Sequence, residues 1–333
     1  MATVLVTGAA GFLGGALVAR LRAEGMRVRA FVRPGRRVDA DELVEGDLRD
    51  RAALERAVAG VEYVVHAGAR VATTGPWEEF EATNVGATTA LIEAATAAGV
   101  RRIVHVSSLS VYAVPADDVV INEDSAYDDG GGERGFYARS KLLADQTAMT
   151  AIAAGAPVTV VRPGLLYGPG QRPSLARRAI GVGPLKLLLA RRGYLLPLAY
   201  VDNVADAIAL ALTNEVARGR AYTVVDVHAP QAAYARLYRQ MQGGNWFPVY
   251  LPLGLVRRAV SAVEGLMRLV GRRAPISRHQ VERTVRSARF DTRRARLELG
   301  WRPRVALDEA LRRSFAAPSR TEAPAATPAQ TPA

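Results

Sequence analysis

The sequence predicts a doubly wound α/β fold: a parallel sheet with helices on both faces, and a smaller, intertwined C-terminal lobe. Three observations predict it. The chain opens with the β-branched run Thr3-Val4-Leu5-Val6-Thr7, passes through glycines at 8, 11 and 14, and enters the helically spaced Ala16-Leu17-Val18-Ala19-Arg20-Leu21. Strand-like and helical stretches then alternate to about residue 163. Such alternation favours parallel strands joined by helical crossovers. Finally, Tyr137 and Lys141 stand four residues apart, a spacing that puts both on one face of a helix.

The elements follow in order. After the first strand and helix, strands are expected at 27–32 and 43–45, a helix at 51–58 and a strand at 61–66. A long helix spans 77–98, a strand 101–106, a loop reaches 135, a helix covers 137–154 and a strand 157–161. The stretch 164–198 is looser and rich in Gly, Pro and Leu; 201–212 reads as a helix and 221–225 as a last short strand. Residues 227–316 read as mostly helical, and the Ala/Pro/Thr/Ser-rich 317–333 as a disordered tail. Residues 1–163, with 199–226 returning, form the expected nucleotide-binding domain; 164–198 and 227–316 form the expected substrate lobe.

Between strand and helix, Gly8, Gly11 and Gly14 allow a sharp turn and let a pyrophosphate approach the amides at the helix start, where Phe12 and Leu13 begin. This implies a dinucleotide. About 20 residues on, an acid would select a free ribose diol. The chain offers Arg33, Arg36 and Arg37 instead, with no carboxylate before Asp39. Arginine forks suit a 2′-phosphate, so NADP(H) is favoured over NAD(H). Gly46-Asp47-Leu48 follows the third strand, where Asp47 faces an adenine amino group or serves a turn. The small run His66-Ala67-Gly68 ends the fourth strand beside the cofactor path, with His66 itself read as a packed strand-end residue. Asn84 sits inside the long helix and is read as a brace for active-site backbone, and Pro163 and Leu165 as walls for the nicotinamide.

Only two of 44 basic residues are lysine, Lys141 and Lys186. A compact ammonium stabilises tyrosinate where a wide guanidinium would not fit. Tyr137 with Lys141 therefore reads as a tuned acid/base pair. Ser107 and Ser108 close the fifth strand, where such sheets hold ligands.

Composition excludes other chemistry. There is no cysteine, hence no disulfide or thiolate nucleophile, and the four histidines form no metal-ligand spacing. No metal is expected. No signal peptide and no uncharged apolar run of membrane-spanning length is read, which suits a cytoplasmic protein. The net charge of +12 is uneven: residues 251–316 carry 16 Arg against six acids. No aromatic–basic interleaving accompanies them, so nucleic acid is not expected as a partner. The stretch 253–273 is amphipathic, with Val256, Val260, Val263, Met267 and Val270 on one face and arginines opposite. It is read either as core or as a peripheral contact with the inner face of an anionic membrane.

Taken together, the glycine motif, Gly46-Asp47-Leu48, Asn84-Val85-Gly86, Ser107-Ser108-x-x-Val111-Tyr112, Tyr137-x-x-x-Lys141, Arg162-Pro163-Gly164-x-x-Tyr167-Gly168-Pro169-Gly170 and Tyr200-Val201-Asp202-Asn203-Val204-Ala205 resemble the extended short-chain dehydrogenase/reductase family, the NAD-dependent epimerase/dehydratase family. The C-terminal Arg289-Phe290-Asp291 and Leu299-Gly300-Trp301-Arg302-Pro303 are similar to its closing signature. The resemblance spans about residues 1–315 and implies a Rossmann domain, catalytic Ser108, Tyr137 and Lys141, and a homodimer through two long helices. Leu109 and Ser110 replace the acidic pair of the sugar 4,6-dehydratases. The 3β-hydroxysteroid dehydrogenase and 3-oxoacyl-lipid reductase branches look nearest. They imply hydride transfer on a small, apolar alcohol or ketone, with Leu185, Leu187, Leu188, Leu189, Leu195, Leu196 and Leu198 near the substrate side or in the core. The alternatives are a nucleotide-sugar epimerase and a non-catalytic dinucleotide sensor or scaffold.

Overall fold

The computed structural model describes residues 1–72, 74–129, 135–171, 179–182, 185–188, 194–242, 247–269 and 286–316. In chain order these form β1 (Thr3–Thr7), α1 (Phe12–Ala23), β2 (Arg27–Val32), β3 (Glu42–Glu45), α2 (Arg51–Val58) and β4 (Tyr63–His66). Next come α3 (Trp77–Phe80), a π-turn (Glu81–Gly86), α4 (Ala87–Ala97), β5 (Arg102–Val106), β6 (Val119–Ile121), α5 (Gly135–Ala153) and β7 (Val158–Pro163). The second half holds β8 (Leu165–Tyr167), β9 (Ala179–Val182), β10 (Leu185–Leu188), β11 (Leu195–Tyr200), α6 (Val201–Thr213) and β12 (Ala221–Val224). It closes with β13 (Val227–Pro230), α7 (Gln231–Gln242), β14 (Phe247–Tyr250), α8 (Leu253–Leu269), β15 (Ala288–Phe290), α9 (Arg293–Glu298) and α10 (Leu307–Ala316).

Seven parallel strands form the main sheet in the order β12-β7-β5-β4-β1-β2-β3. The chain winds outward from β1 to β3, then crosses back to β4 and winds the other way. Strand order therefore reverses between β1 and β4, where Thr7 lies in register with His66. That reversal opens the ligand crevice of such sheets at the strands' C-terminal ends.

The period-2 alternation of each strand supplies both faces. Val4, Val6 and Val65 pack with Leu17, Leu21, Val204 and Ile208 from α1 and α6. Leu5 and Val64 point the other way, onto Leu54, Val58, Leu91 and Ile92 from α2 and α4. Both faces are covered, as a parallel sheet requires.

The structure corrects several expectations. The long helix over 77–98 is interrupted by a π-turn at Glu81–Gly86. The strand at 221–225 is not the last, since β13, β14 and β15 follow. These short strands pair with distant partners: β15 with β6, β13 with β11, β14 with β10. A run of three or four residues carries too little periodicity to announce itself. Nor does the segment 227–316 stay in the lobe. Ala295, Leu299 and Trp301 join the core beneath the main sheet, and the Trp301 indole N–H donates to the Asn203 carbonyl (2.9 Å). The lobe's own core is aromatic, with Tyr167, Tyr194, Tyr200 and Tyr234 around Leu196, Leu198 and Leu311.

The amphipathic stretch forms α8, but its apolar face is shared differently from the expectation. Val256, Val260 and Met267 are half-buried, while Val263 is 42% exposed. A second ridge, Leu255, Ala259, Ala262 and Leu266, faces solvent. Val270, Arg272 and Arg273 of that expectation lie outside the described residues, as do Leu189, the tail 317–333 and the side chains of Leu185, Leu187 and Leu188.

Candidate active site

The site is built at the crevice between β1 and β4. Gly8 has φ +68°, and a Cβ there would come within 2.7 Å of the Gly68 backbone. A Cβ on Gly14 would overlap the Gly8 carbonyl. Gly11 N–H closes the turn on the Gly8 carbonyl (2.8 Å). Two loops are thus fused backbone to backbone, which only glycine permits. α1 begins at Phe12 with Leu13 buried, and Gly11 at its N-cap supplies no side-chain cap. Its first amides are left for an anion. This cradle, closed to any Cβ and uncapped, fits a pyrophosphate. Half-buried Ala67 and buried Gly68 continue it along the end of β4, with Leu48 against Gly68.

Arg33, Arg36 and Arg37 are exposed beyond β2, free of the core. Asp47 is held by a residue the sequence reading passed over. Arg49 donates to it from its backbone N–H (2.8 Å), Nε (2.9 Å) and Nη2 (2.7 Å). The Arg49 bonds hold the Asp47 carboxyl down at about 2, with burial opposing and Arg33 adding a smaller attraction. Arg33, Asp47 and Arg49 therefore share one electrostatic neighbourhood.

At the other end, α5 carries Tyr137 and Lys141. Tyr137 is half-buried in its first turn. Lys141 is buried, and its Nζ donates to the Val106 carbonyl at the end of β5 (2.6 Å). Burial brings the Lys141 ammonium down to about 8, and Asp145 one turn on partly opposes this. α5 also packs on the turn Leu109–Val111 that follows the two serines. Ser108 is half-buried, and its hydroxyl accepts the Ser110 N–H (3.2 Å). Ser107 is buried with its hydroxyl lacking a partner among the described residues. Pro163 is buried at the end of β7, whereas Leu165 is 43% exposed. Phe136, next to Tyr137 and also 43% exposed, packs on Trp77 (5.8 Å) and Phe80 (6.1 Å).

His66 does not offer its ring to a ligand. It is buried, its Nδ1 lies 2.7 Å from Thr7 Oγ1, and its Nε2 lies 3.0 Å from Thr88 Oγ1. Burial and the nearby Lys141 charge push its imidazolium down to about 3, so it is neutral. Asn84, fully buried in the π-turn, takes the Arg70 N–H on Oδ1 (2.7 Å) and donates from Nδ2 to Ser140 Oγ (2.8 Å). Thr7, Thr88 and Ser140 were not singled out from sequence. A threonine on a helix carries no signal until its partner strand is known.

Behind α5 lies a buried fork. Arg162 Nε and Nη2 donate to the two Asp145 oxygens (2.9 and 2.7 Å). Tyr127 OH also donates to Asp145 (2.7 Å), and Arg162 Nη1 donates to Tyr112 OH (2.7 Å). The cluster joins α5 to β7 directly below Lys141.

A doubly wound sheet with a glycine cradle at its switch point and a Tyr-x-x-x-Lys helix beside it defines a dinucleotide-dependent α/β enzyme. Residues 4–224 match the family model described as "NAD dependent epimerase/dehydratase family". The chain belongs to that family, and it is a nicotinamide-dinucleotide-dependent, NAD(P)-type dehydrogenase/reductase of the extended short-chain kind. It is 30% identical over 331 residues to a 2-alkyl-3-oxoalkanoate reductase of Stenotrophomonas maltophilia, covering 93% of this chain and 97% of that one. It is 28% identical over 327 residues to a 3 beta-hydroxysteroid dehydrogenase/Delta 5-->4-isomerase of Mycobacterium tuberculosis, covering 92% and 88%. Among solved structures, gox2253 superposes with a TM-score of 0.81 at 28% identity, covering 95% of this chain and 97% of that one.

Proposed function

We propose that the protein is an NADP(H)-preferring oxidoreductase that interconverts a ketone and a secondary alcohol on an apolar, steroid-like or 3-oxoacyl-lipid substrate. The carrying observation is Lys141, a buried ammonium fixed to the end of β5 one helical turn after Tyr137. When bound, a nicotinamide dinucleotide would supply the hydride in reduction and accept it in oxidation. The Gly8–Gly14 turn and the α1 N-terminus would hold its pyrophosphate, Asp47 its adenine, Arg33 and Arg36 its 2′-phosphate, and Pro163 and Leu165 would flank its nicotinamide. Ser108 donates a hydrogen bond to the reacting oxygen. Tyr137 OH gives that oxygen a proton on reduction and takes it back on oxidation. Lys141 favours the tyrosinate electrostatically and grips the ribose. The exposed edges of Phe136 and Leu165, and the two relatives that act on oxoalkanoates and steroids, support an apolar substrate.

Tyr137→Phe is expected to keep nucleotide affinity and to lose about 10²–10⁴-fold in rate. Lys141→Arg is expected to fail as well, because the guanidinium is too wide for the site. Near-native turnover in either variant overturns the assignment. Substrate class is tested with a panel of 3-oxoacyl esters, steroid ketones and UDP-sugars, read by nicotinamide absorbance and by product analysis. Epimerised sugar without ketone reduction would replace this reading with the epimerase one. Bound nucleotide without any turnover would favour a sensor.

Two further parts of the proposal concern assembly and location. The resemblance implies a homodimer through α4 and α5, and light scattering at the mass of a single 35.6 kDa chain overturns it. No helix among the described residues is long and apolar enough to cross a membrane. The solvent-facing Leu255 and Leu266 of α8, 61% and 62% exposed beside exposed Arg258, support shallow docking on an anionic bilayer. Co-sedimentation with anionic but not neutral vesicles, lost at high salt, is the expected result; a protein that stays in the supernatant ends that part of the proposal.

A further inference from the structure

His66 is placed where a cofactor contact was expected, yet both its ring nitrogens are spent inside the protein. The hydrogen bonds around it have a forced direction. Thr88 Oγ1 donates its one proton to the Asn84 carbonyl (2.7 Å). Facing His66 Nε2, it therefore acts as an acceptor, and Nε2 must carry a proton. On the other side, the Thr7 hydroxyl accepts the Gly68 N–H (3.2 Å). Its own proton is then free to point at His66 Nδ1, 2.7 Å away. The opposite tautomer would turn Nε2 into an acceptor facing a hydroxyl whose proton is already used, and a buried unpaired nitrogen is costly.

The resulting chain is continuous. It runs from the Gly68 amide, packed against Gly8, through Thr7, His66 and Thr88 to the backbone of the π-turn. From Asn84 in that turn it continues through Nδ2 to Ser140 Oγ, and from Ser140 Oγ to the Tyr137 carbonyl (2.9 Å). We infer that neutral His66, fixed as its Nε2–H tautomer, is a positioning residue that sets the glycine cradle and the Tyr137 turn of α5 relative to each other. His105, whose ring lies 5.5 Å from His66, does not share this role: its nitrogens have no partner among the described residues. A rigid side-chain chain of this kind places two halves of a site that different elements carry. The π-turn is part of the device, because it carries Asn84, whose side chain meets Ser140 of α5 and whose carbonyl receives Thr88 from the first turn of α4.

The tautomer arm of the test does not depend on the proposed activity; the binding arm rests on the cofactor reading given above. ¹⁵N NMR of imidazole-labelled protein is expected to show His66 neutral and protonated at Nε2 throughout pH 5–8. An Nδ1–H tautomer, or protonation within that range, overturns the inference. In the second arm, calorimetric titration of NADPH compares the native chain with Thr88→Val and Thr88→Ser. Thr88→Val is expected to weaken binding about three- to tenfold, the worth of one hydrogen bond, although Thr88 lies on the far side of His66 from the glycines. Thr88→Ser, which keeps the hydroxyl, is expected to bind like the native chain. Thr7→Val combined with Thr88→Val is expected to lose little more than the worse single variant. Unchanged affinity in Thr88→Val, or additive losses, overturns the inference even if the tautomer is as stated. Native protein that binds no dinucleotide would instead refute the cofactor reading and leave the tautomer result standing.

Discussion

Two arginine–aspartate forks with the same two-nitrogen grip stand in different solvent, one buried behind α5 among tyrosines and one exposed beyond β3. Arg162 grips Asp145 behind α5, with side-chain exposures of 1% and 0%. Arg49 grips Asp47 at the rim beyond β3, with exposures of 55% and 44%. Each fork places two guanidinium nitrogens on one carboxylate. In the interior, losing either partner strands a charge with no water to receive it. Burial pushes the Arg162 guanidinium down, and its bonds to Asp145 more than restore it. At the rim, water screens the pair and substitutes for either member. The same chemistry thus makes a fixed bolt under α5 and a releasable clasp over the subsite proposed for an adenine. A carboxylate expected to meet an adenine amino group needs a partner it can give up.

The comparison breaks or holds on four measurements. The largest effect is expected from Arg162→Met. It leaves the Asp145 carboxylate buried with the Tyr127 hydroxyl but no guanidinium, and denaturant unfolding is expected to show a loss of about 3–5 kcal/mol. Adding Asp145→Leu is expected to recover much of that loss. A loss below about 1 kcal/mol in the single variant would place the buried fork in the same class as the exposed one.

Next in size is the pH response. Burial sets the Lys141 ammonium at about 8, and Asp145, already claimed by Arg162, only partly offsets this. Ketone reduction needs Lys141 charged. Its kcat/KM is therefore expected to hold below about 8 and to fall as pH rises through it, toward a tenfold loss per pH unit. A flat profile to pH 10 would show that the bolt does not leave Lys141 in the state described.

Smaller again is the effect of Arg33→Ala, expected to narrow a several-fold preference for NADPH over NADH in calorimetric titration. Tighter NADH binding by the native chain would remove the 2′-phosphate reading. The smallest effect belongs to Arg49→Ala, which is expected to lower the unfolding midpoint near neutral pH only marginally, because water screens the exposed pair. The Asp47 carboxyl is depressed, so the clasp's contribution exists above the ordinary carboxylate range and fades as pH falls through about 2. In that variant the Asp47 carboxyl is expected to return to the ordinary range, visible by carboxyl NMR. A clear drop in midpoint would mean that the rim fork is structural after all.

Much of this was legible before any coordinates, for a physical reason. The glycine turn, the Tyr137–Lys141 pair and the alternating strands are local signals, complete within a dozen residues. What escaped notice depends on tertiary pairing. Asp145 meets Arg162 only once α5 lies against β7, although an acid four residues after Lys141 was an available hint. Thr7, His66 and Thr88 line up only when β1, β4 and α4 are assembled. β15 is three residues whose partners, 119–121, lie about half the chain away. Residues 227–316 read as mostly helical, and strands of three or four residues within them carry too little periodicity to stand out.

The scarcity of lysine has a practical consequence. Amine-directed reagents find two side chains and the N-terminus in the whole polypeptide. Lys141 is only 5% exposed, yet burial lowers its ammonium to about 8, so more of it is free amine near neutral pH than in an exposed lysine. It is a strong nucleophile behind a closed door. The rate at which an acylating reagent marks Lys141 therefore reports how often α5 parts from β5, and a dinucleotide that seals the crevice should silence that mark while leaving the N-terminal one untouched.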